Sequence, residues 1–188
     1  MSIGVSPSAP AGAGAGAVLA AIHELPRGRP SVVLIDGRSG AGKSTLATTL
    51  HEQWPEAQLL RLEDFYPGWN GLEAASAQLH RVVLRPFSIG RSARWQSWDW
   101  ITDGPGEWRH FDAAAPLLIE GCGALSRANR ALAQLGVWVE LATAERFHRA
   151  SFRDAGRFET RWASWAAQEE AFAARERPSE LADLIVSG

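Results

Sequence analysis

The sequence predicts an α/β fold, a three-layer sandwich in which helices cover both faces of a mostly parallel five-stranded sheet. Two observations lead to this prediction. Short apolar, β-branched runs alternate with segments of helical apolar spacing, and acidic side chains directly follow two of the apolar runs. Because ligands of such sheets bind at the carboxyl ends of the strands, we expect the segments after the strands to form one site.

The composition favours one domain and excludes several function classes. The chain has 188 residues and a formal net charge of −2, which argues against a general nucleic-acid or membrane-surface binder. A single cysteine, Cys122, allows no intramolecular disulfide and predicts a reducing, cytoplasmic setting. No apolar run approaches membrane-spanning length. Residues 1–16 are rich in small side chains and predict a flexible tail before a single domain over 17–188.

The apolar patterns place the elements as follows. Strands are predicted at 31–35, 58–62, 117–120, 137–141 and 183–186. Helices are predicted at 17–25, from the glycine-rich loop to about 53, at 72–84, at 127–135, from about 144, and at 162–177. The tryptophan-rich stretch 86–116 is predicted to be irregular.

A glycine-rich loop separates the first predicted strand from the next helix. Residues 37–44 read GRSGAGKS and fit the pattern G-x-x-x-x-G-K-[ST] in full, and Lys43 is the only lysine of the chain. The N–H groups of such a loop and the helix N-terminus bind phosphate oxygens, which predicts ATP and Mg²⁺ as cofactors. Lys43 is expected at the β- and γ-phosphates and Ser44 at the metal. The predicted nucleotide contacts are Gly37, Ser39, Gly40, Ala41, Gly42, Lys43, Ser44 and Thr45.

Two adjacent carboxylates, Glu63 and Asp64, end the second predicted strand. A carboxylate at this place can accept the proton of an attacking hydroxyl and can help to hold Mg²⁺. Because side chains alternate along an extended segment, one of the two should face the site. Asp64 is favoured as the base and as a metal ligand, and Glu63 stays a candidate base.

A further carboxylate, Glu120, ends the apolar run of the third predicted strand. Oxygen ligands of this kind suit Mg²⁺, so Glu120 is a candidate to hold the metal with Ser44.

Four arginines recur in the predicted helix after the fourth strand. Arg146, Arg149 and Arg153 are spaced i, i+3 and i+7, and Arg157 follows at i+11, which places them near one helix face. Arg149 and Arg153 are predicted to stabilise the negative charge of a moving phosphoryl group, and Arg157 to contact the nucleotide. The alternative is a solvated basic face that pairs with nearby acidic residues.

The chain resembles the uridine kinase-like branch of P-loop kinases over roughly 31–66 and 115–188. The segment EDFY at 63–66 resembles the Asp-x-Phe or Asp-Asp-Phe-Tyr segment that carries the family's base. The run LLIEG at 117–121 resembles its Glu-Gly strand end, and 145–154 resembles its lid helix. The resemblance implies a P-loop NTPase kinase fold, a lid over about 144–157, and a role for Glu120 with Mg²⁺ and water. Alignment on Phe65 places Glu63 on the family's Asp, and alignment on the longer form favours Asp64.

The resemblance fails over 86–114, inside the segment 64–114 that builds the acceptor site in related kinases. Trp98-Asp99-Trp100 is faintly similar to a Tyr-Asp-aromatic segment of uridine kinases. Trp98, Asp99 and Tyr66 are therefore candidates to stack on an acceptor ring and bond its hydroxyls. A tryptophan-rich minor core with solvated charges explains the same residues equally well.

The sequence therefore predicts an ATP-dependent kinase that phosphorylates a hydroxyl of a nucleoside-like or other small acceptor. One alternative is a nucleoside monophosphate kinase, for which Arg85, Arg91 and Arg94 could bind the acceptor phosphate. Another is a non-catalytic, ATP-binding regulatory protein. The sequence does not decide the acceptor, ATP over GTP, or whether the chain forms a homo-oligomer.

Overall fold

The computed structural model describes residues 11–26, 28–153 and 159–188. Its α-helices are α1 Ala11–His23, α2 Lys43–Gln53, α3 Leu72–Gln78, α4 Arg85–Ser88, α5 Arg127–Arg130, α6 Thr143–Arg153, α7 Glu159–Glu176 and α8 Pro178–Leu181. Its strands are β1 Val32–Asp36, β2 Gln58–Arg61, β3 Ala93–Asp99, β4 Gly104–Phe111, β5 Leu117–Glu120, β6 Leu135–Glu140 and β7 Leu184–Ser187. No helix in this part of the chain is both long and apolar enough to cross a membrane.

Five strands form one parallel sheet in the order β2-β5-β1-β6-β7. All four neighbouring pairs are parallel, so the predicted sheet is confirmed and is more uniform than "mostly parallel". The order changes direction at β1, which has β5 on one side and β6 on the other. The chain after β1 therefore lies at the switch point of the sheet, where ligands of such folds bind.

The side chains of β1 alternate between two apolar cores. Val33 and Ile35 pack with α1 and α2 on one face of the sheet. Val32 and Leu34 pack on the other face, with residues of α3, α7 and the segment between β2 and β5. The helices packed on the two faces confirm the predicted three-layer sandwich.

The N-terminal helix begins earlier than predicted. The structure has α1 over Ala11–His23, so residues 11–16 of the predicted tail are helical, and residues 1–10 lie outside the described residues. Ala15, Val18 and Ile22 are buried on one side of this helix, at a spacing that apolar packing explains. The run of Ala and Gly before residue 17 hid this helix, because small side chains give a weak periodic signal.

The stretch predicted to be irregular contains a β-hairpin. Strands β3 and β4 pair antiparallel, with a register shift between Gln96 and Trp98, and the preceding helical segment runs through a π-helix, Leu79–Leu84, into α4. Trp95 anchors the hairpin, because its ring stacks between Phe65 at 5.2 Å and Phe111 at 4.5 Å between centroids. The prediction missed the hairpin although Ala93, Trp95 and Ser97 alternate as buried residues, the period of a half-buried strand.

Three smaller differences concern element ends. Helix α5 stops at Arg130 rather than 135, and β6 begins at Leu135, where Leu135 pairs with Val33. A short helix, α8, precedes β7 and was not predicted.

Candidate active site

The glycine-rich loop connects β1 to α2 and curves through backbone conformations that favour glycine. Gly40 has φ +78° and Gly42 φ +98°, and Gly42 directly precedes the first turn of α2. A Cβ on Gly40 would lie 2.2 Å from the carbonyl oxygen of Arg146. Glycine at this position is thus required by packing against α6 as well as by the turn. All eight residues predicted to contact phosphates lie on this continuous segment, from Gly37 to Thr45.

Lys43 is buried at the start of α2, with 7 % of its surface exposed. Its Nζ donates a hydrogen bond to the carbonyl oxygen of Arg38 over 3.1 Å, so the side chain folds back across the loop. Burial lowers the pKa of Lys43, but the acidic groups around it, Cys122, Glu120 and Glu169 first among them, raise the pKa overall. The ammonium is therefore held charged inside the loop, where it can meet the phosphates of a nucleotide.

The two strongest candidate metal ligands lie together. Ser44 Oγ donates a hydrogen bond of 2.9 Å to Glu120 Oε1, and Arg61 Nη1 lies 3.4 Å from the same oxygen. A hydroxyl and a carboxylate are hard oxygen ligands, and Mg²⁺ commonly takes one or two of them and completes its shell with phosphates and water. No group of three or more His, Cys, Asp or Glu arranged for a metal occurs among the described residues. The pair therefore fits Mg²⁺ that arrives with a nucleotide.

Asp64, also predicted as a metal ligand, has a different partner. It lies in a 3₁₀ turn, Leu62–Asp64, and Arg109 Nη1 of the hairpin lies 3.5 Å from its Oδ2. Neither Ser44 nor Glu120 bonds to Asp64 in the described structure. Glu63 is exposed, and its carboxylate forms no ion pair or hydrogen bond with another described residue. The carbonyl of Glu63 accepts a hydrogen bond of 3.0 Å from Trp100 Nε1.

The three predicted acceptor contacts, Tyr66, Trp98 and Asp99, lie in different surroundings. Tyr66 is buried, and its hydroxyl donates to the carbonyl of Cys122 over 2.9 Å. Asp99 caps the turn between β3 and β4, where it accepts from the backbone N–H of Ile101 and from the hydroxyl of Thr102. These hydrogen bonds lower the pKa of Asp99, and the bond from Ile101 has the largest effect. Trp98 is half-buried in β3, and no hydrogen bond reaches its buried Nε1 in the described part of the chain.

The predicted arginine face of α6 divides into two roles. Arg146 is buried, and its guanidinium donates to the carbonyls of Leu141 and Ser39, each over 3.2 Å, and to the hydroxyl of Thr143 over 3.1 Å. Arg149 is exposed and pairs with Glu145 at 2.6 Å. The side chain of Arg153 and all of Arg157 lie outside the described residues.

Arg149 nevertheless lies close to the loop. Its Nη1 would be 3.8 Å from a Cβ built on Gly42, the residue before Lys43. Arg146 holds α6 against the loop through its bond to Ser39, and Arg149 places an exposed cation beside the loop.

Asp36 was missed by the sequence analysis, because it ends the apolar run of β1 and precedes the glycine-rich loop. Its buried carboxylate accepts from the N–H groups of Gly37, Gly123 and Leu125 over 2.7–3.1 Å. Burial raises the pKa of Asp36, whereas these hydrogen bonds and the charge of Lys43 lower it. Burial has the larger effect, and the resulting pKa is about 6. Asp36 therefore ties the loop to the segment after β5, near the candidate metal ligands.

The fold has counterparts among solved structures. A protein described as a possible uridine kinase from Bacillus stearothermophilus matches with a TM-score of 0.67 and 16 % identity, over 92 % of this chain and 97 % of the other. Shikimate kinase from Acinetobacter baumannii, in complex with shikimate, matches with a TM-score of 0.52 and 18 % identity, over 85 % and 84 %.

A third match is a protein provisionally described as a fructose transport system kinase from Silicibacter sp. TM1040. Its TM-score is 0.53 at 18 % identity, over 92 % of this chain and 98 % of the other. No protein-family model matches the sequence, and no curated protein matches it. At identities of 16–18 %, the likeness to these solved structures lies in the fold. It confirms the resemblance predicted from the sequence: the chain has the fold of a uridine kinase-like P-loop kinase.

Proposed function

We propose that the protein is a small-molecule kinase that transfers the γ-phosphoryl group of ATP to a hydroxyl of a nucleoside-like or other small acceptor. The observation that carries the proposal is the pairing of Ser44 with Glu120 directly beside the buried Lys43. Together they offer a cation and two oxygen ligands at the carboxyl ends of β1 and β5, where nucleotides bind in such sheets.

Each residue of this group has a distinct task. The backbone N–H groups of the loop and Lys43 bind the phosphates of ATP. Ser44 and Glu120 would hold Mg²⁺, which when bound neutralises charge on the β- and γ-phosphates. Arg149 adds a cation beside the loop, and Arg153 and Arg157 are proposed to act with it. Because phosphoryl transfer needs little covalent help, positioning and electrostatics supply most of the acceleration.

We assign the base to Glu63 rather than to Asp64. Asp64 already pairs with Arg109, whereas the Glu63 carboxylate is exposed and forms no ion pair with a described residue. A general base must be able to reach the acceptor hydroxyl and take its proton. The Asp64–Arg109 pair instead supports a role for Asp64 in docking the β3–β4 hairpin. Tyr66 and the hairpin residue Trp98 would border the acceptor.

A monophosphate acceptor has less support. Arg94 stacks over the ring of Trp108, with 4.5 Å from its guanidinium carbon to the ring centroid, and Arg85 and Arg91 are exposed. No contact in the described structure draws these three cations into one phosphate site. We also propose a cytoplasmic location, on the basis of the single cysteine and its reducing setting.

The proposal is tested by ADP release from Mg-ATP across a panel of nucleosides, monophosphates, sugars and vitamin-like alcohols. The blank is the Lys43→Ala protein, checked for folding by circular dichroism. Acceptor-dependent ADP that disappears in the blank supports the kinase and identifies the acceptor class. Equal turnover by the wild type and the blank would overturn the assignment. Tight ATP binding with no acceptor-dependent turnover would instead favour the regulatory alternative.

A further inference from the structure

A buried carboxylate outside the predicted site contacts the phosphate-binding loop. Glu169 on α7 is 6 % exposed, and its Oε1 accepts three hydrogen bonds: from the backbone N–H of Ser39 at 2.7 Å, from Trp165 Nε1 at 3.0 Å, and from Cys122 Sγ at 3.2 Å. Burying a charge costs free energy unless the charge is hydrogen-bonded. An apolar residue at this position would avoid that cost, so the carboxylate calls for an explanation.

The contact is made at a specific place in the loop. Ser39 follows Arg38, whose carbonyl oxygen accepts the hydrogen bond from Lys43 Nζ. The Arg38–Ser39 peptide is therefore held by Lys43 at its carbonyl and by Glu169 at its N–H. Glu169 is also close enough to Lys43 to contribute to the raised pKa of that ammonium.

A small pocket lies between α7 and the loop, and its lining includes Asp36, Arg38, Glu169 and Phe172. The hydrogen bond from the N–H of Ser39 to Glu169 spans 130 residues of sequence and joins the loop to α7 beside this pocket.

The same helix also contacts the predicted acceptor-site segment. Gln168 donates to the carbonyl of Trp69 over 2.8 Å and accepts from the N–H of Leu72 over 3.4 Å. Successive residues of a helix point about 100° apart, so α7 lies between the acceptor-site segment and the phosphate-binding loop and reaches each with a different side chain.

We propose that Glu169 is a positioning residue that preorganises the Arg38–Ser39 turn of the phosphate-binding loop for nucleotide. This inference rests on the proposed function only as far as nucleotide binding, and it needs no acceptor. The hydrogen bond, rather than the charge, carries the effect, because a negative charge near the loop by itself repels phosphates. If only a fraction of the molecules has the loop ordered for binding, the apparent affinity for the nucleotide is reduced by that fraction.

The experiment measures MgADP binding by calorimetry, together with thermal unfolding, for the wild type and five variants: three at Glu169, Glu170→Ala and Lys43→Ala. Glu169→Ala removes the acceptor and is expected to weaken MgADP binding at least about tenfold. Glu169→Gln keeps an oxygen acceptor for Ser39 and removes the charge, so its affinity should equal or exceed that of the wild type. Glu169→Asp keeps the charge but is one methylene shorter, and should resemble Glu169→Ala.

The neighbouring Glu170 provides a matched control. Glu170 forms an ion pair with Arg38 at 2.6 Å. Both side chains are partly exposed, with exposed fractions of 31 % for Arg38 and 67 % for Glu170. Exposed pairs contribute little, so Glu170→Ala should bind MgADP within about twofold of the wild type.

Each outcome decides the inference. It is supported if the Ala and Asp variants lose affinity while the Gln variant keeps it. If Glu169 has a purely structural role, its replacement will lower the melting temperature and leave the MgADP affinity unchanged in all variants. If the Gln variant loses as much affinity as the Ala variant, the effect comes from the charge. Either result overturns the proposal. If Glu169→Ala does not fold, the Asp and Gln variants make the same distinction. If the wild type binds no MgADP, or binds it equally well with Lys43→Ala, both proposals fail at that first step.

Discussion

Ser44 and Glu120 lie 76 residues apart in sequence and are joined by a hydrogen bond of 2.9 Å. Ser44 is in the first turn of α2, and Glu120 is the last residue of β5, where it pairs in register with Ile35 of β1. Glu120 Oε1 is thus placed by the sheet, and Ser44 Oγ by the loop and the start of α2. Their meeting is the strongest geometric support for a metal-dependent site.

The first prediction concerns the metal. Replacing Ser44 by Ala removes one of two oxygen ligands, so the Mg²⁺ concentration for half-maximal MgADP binding should rise about 10–100-fold. A Mg²⁺ titration at fixed ADP measures the change. Thr49→Ala removes a hydroxyl further along the same helix and should leave the titration unaltered. Identical titrations for the two variants would remove Ser44 from the metal site.

A second prediction separates the two adjacent carboxylates. Glu63→Gln should lower acceptor-dependent kcat by about 10²–10⁴-fold with little change in ATP affinity, because a general base contributes that much. Asp64→Asn loses the partner of Arg109 and should mainly raise the KM for the acceptor. Steady-state kinetics with the acceptor from the panel measure both. The opposite pattern would assign the base to Asp64.

The third prediction follows from the buried Asp36. Its pKa in the folded protein, about 6, lies above the ordinary value of 3.8, so the folded state binds this proton more tightly than the unfolded chain. The resulting stabilisation is complete below the unfolded value and is lost as the pH rises through the folded one. The contribution of Asp36 to the free energy of unfolding should therefore fall by on the order of 3 kcal/mol across this window.

Urea unfolding of the wild type and Asp36→Asn across the same pH range measures this effect. The variant has no carboxyl to titrate, so the difference in free energy of unfolding between the two proteins should change with pH. The variant is expected to be less stable overall, because its amide nitrogen faces N–H donors from Gly37, Gly123 and Leu125. Parallel pH curves would show that Asp36 is not the titrating group.

The fourth prediction distinguishes the two arginines of α6. Arg146→Ala leaves the partly buried carbonyls of Ser39 and Leu141 without their donor, so the free energy of unfolding should fall by about 1–3 kcal/mol in total. Arg149→Ala, on an exposed side chain, should change it by less than about 0.5 kcal/mol and should instead lower kcat.

Chemical denaturation and acceptor-dependent turnover measure both effects. Arg146→Lys should not restore stability, since an ammonium cannot reproduce the three divergent donors of a guanidinium. Full stability of the Lys variant would show that charge alone is required at this position.

The central strands of the parallel sheet could be predicted because they are largely apolar runs. Leu117–Glu120 is buried throughout, and a run of that kind between polar segments has few other interpretations. The glycine-rich loop could be found because its residue types follow from the backbone it forms, as Gly40 and Gly42 illustrate. Local chemistry is sufficient in both cases.

The hairpin and the buried charges could not be predicted with the same success. Trp95 and Trp98 have strong aromatic character and no clear apolar partner in sequence, since the rings that enclose Trp95 come from Phe65 and Phe111. Glu169 appears in sequence as an ordinary polar residue of a helix, and its contact with Ser39 spans 130 residues. Such roles are set by tertiary neighbours, which a single sequence does not reveal.

The hairpin inserted between β2 and β5 contributes no strand to the parallel sheet, although β2 and β5 are adjacent in it. None of the registers within the parallel sheet involves a residue of the hairpin. In evolutionary terms, the residues proposed to bind the nucleotide and the hairpin proposed to border the acceptor are on separate pieces of chain. Under the proposed function, such a division would let a lineage reshape the hairpin, and so acquire new acceptors, without altering the residues that bind the phosphates.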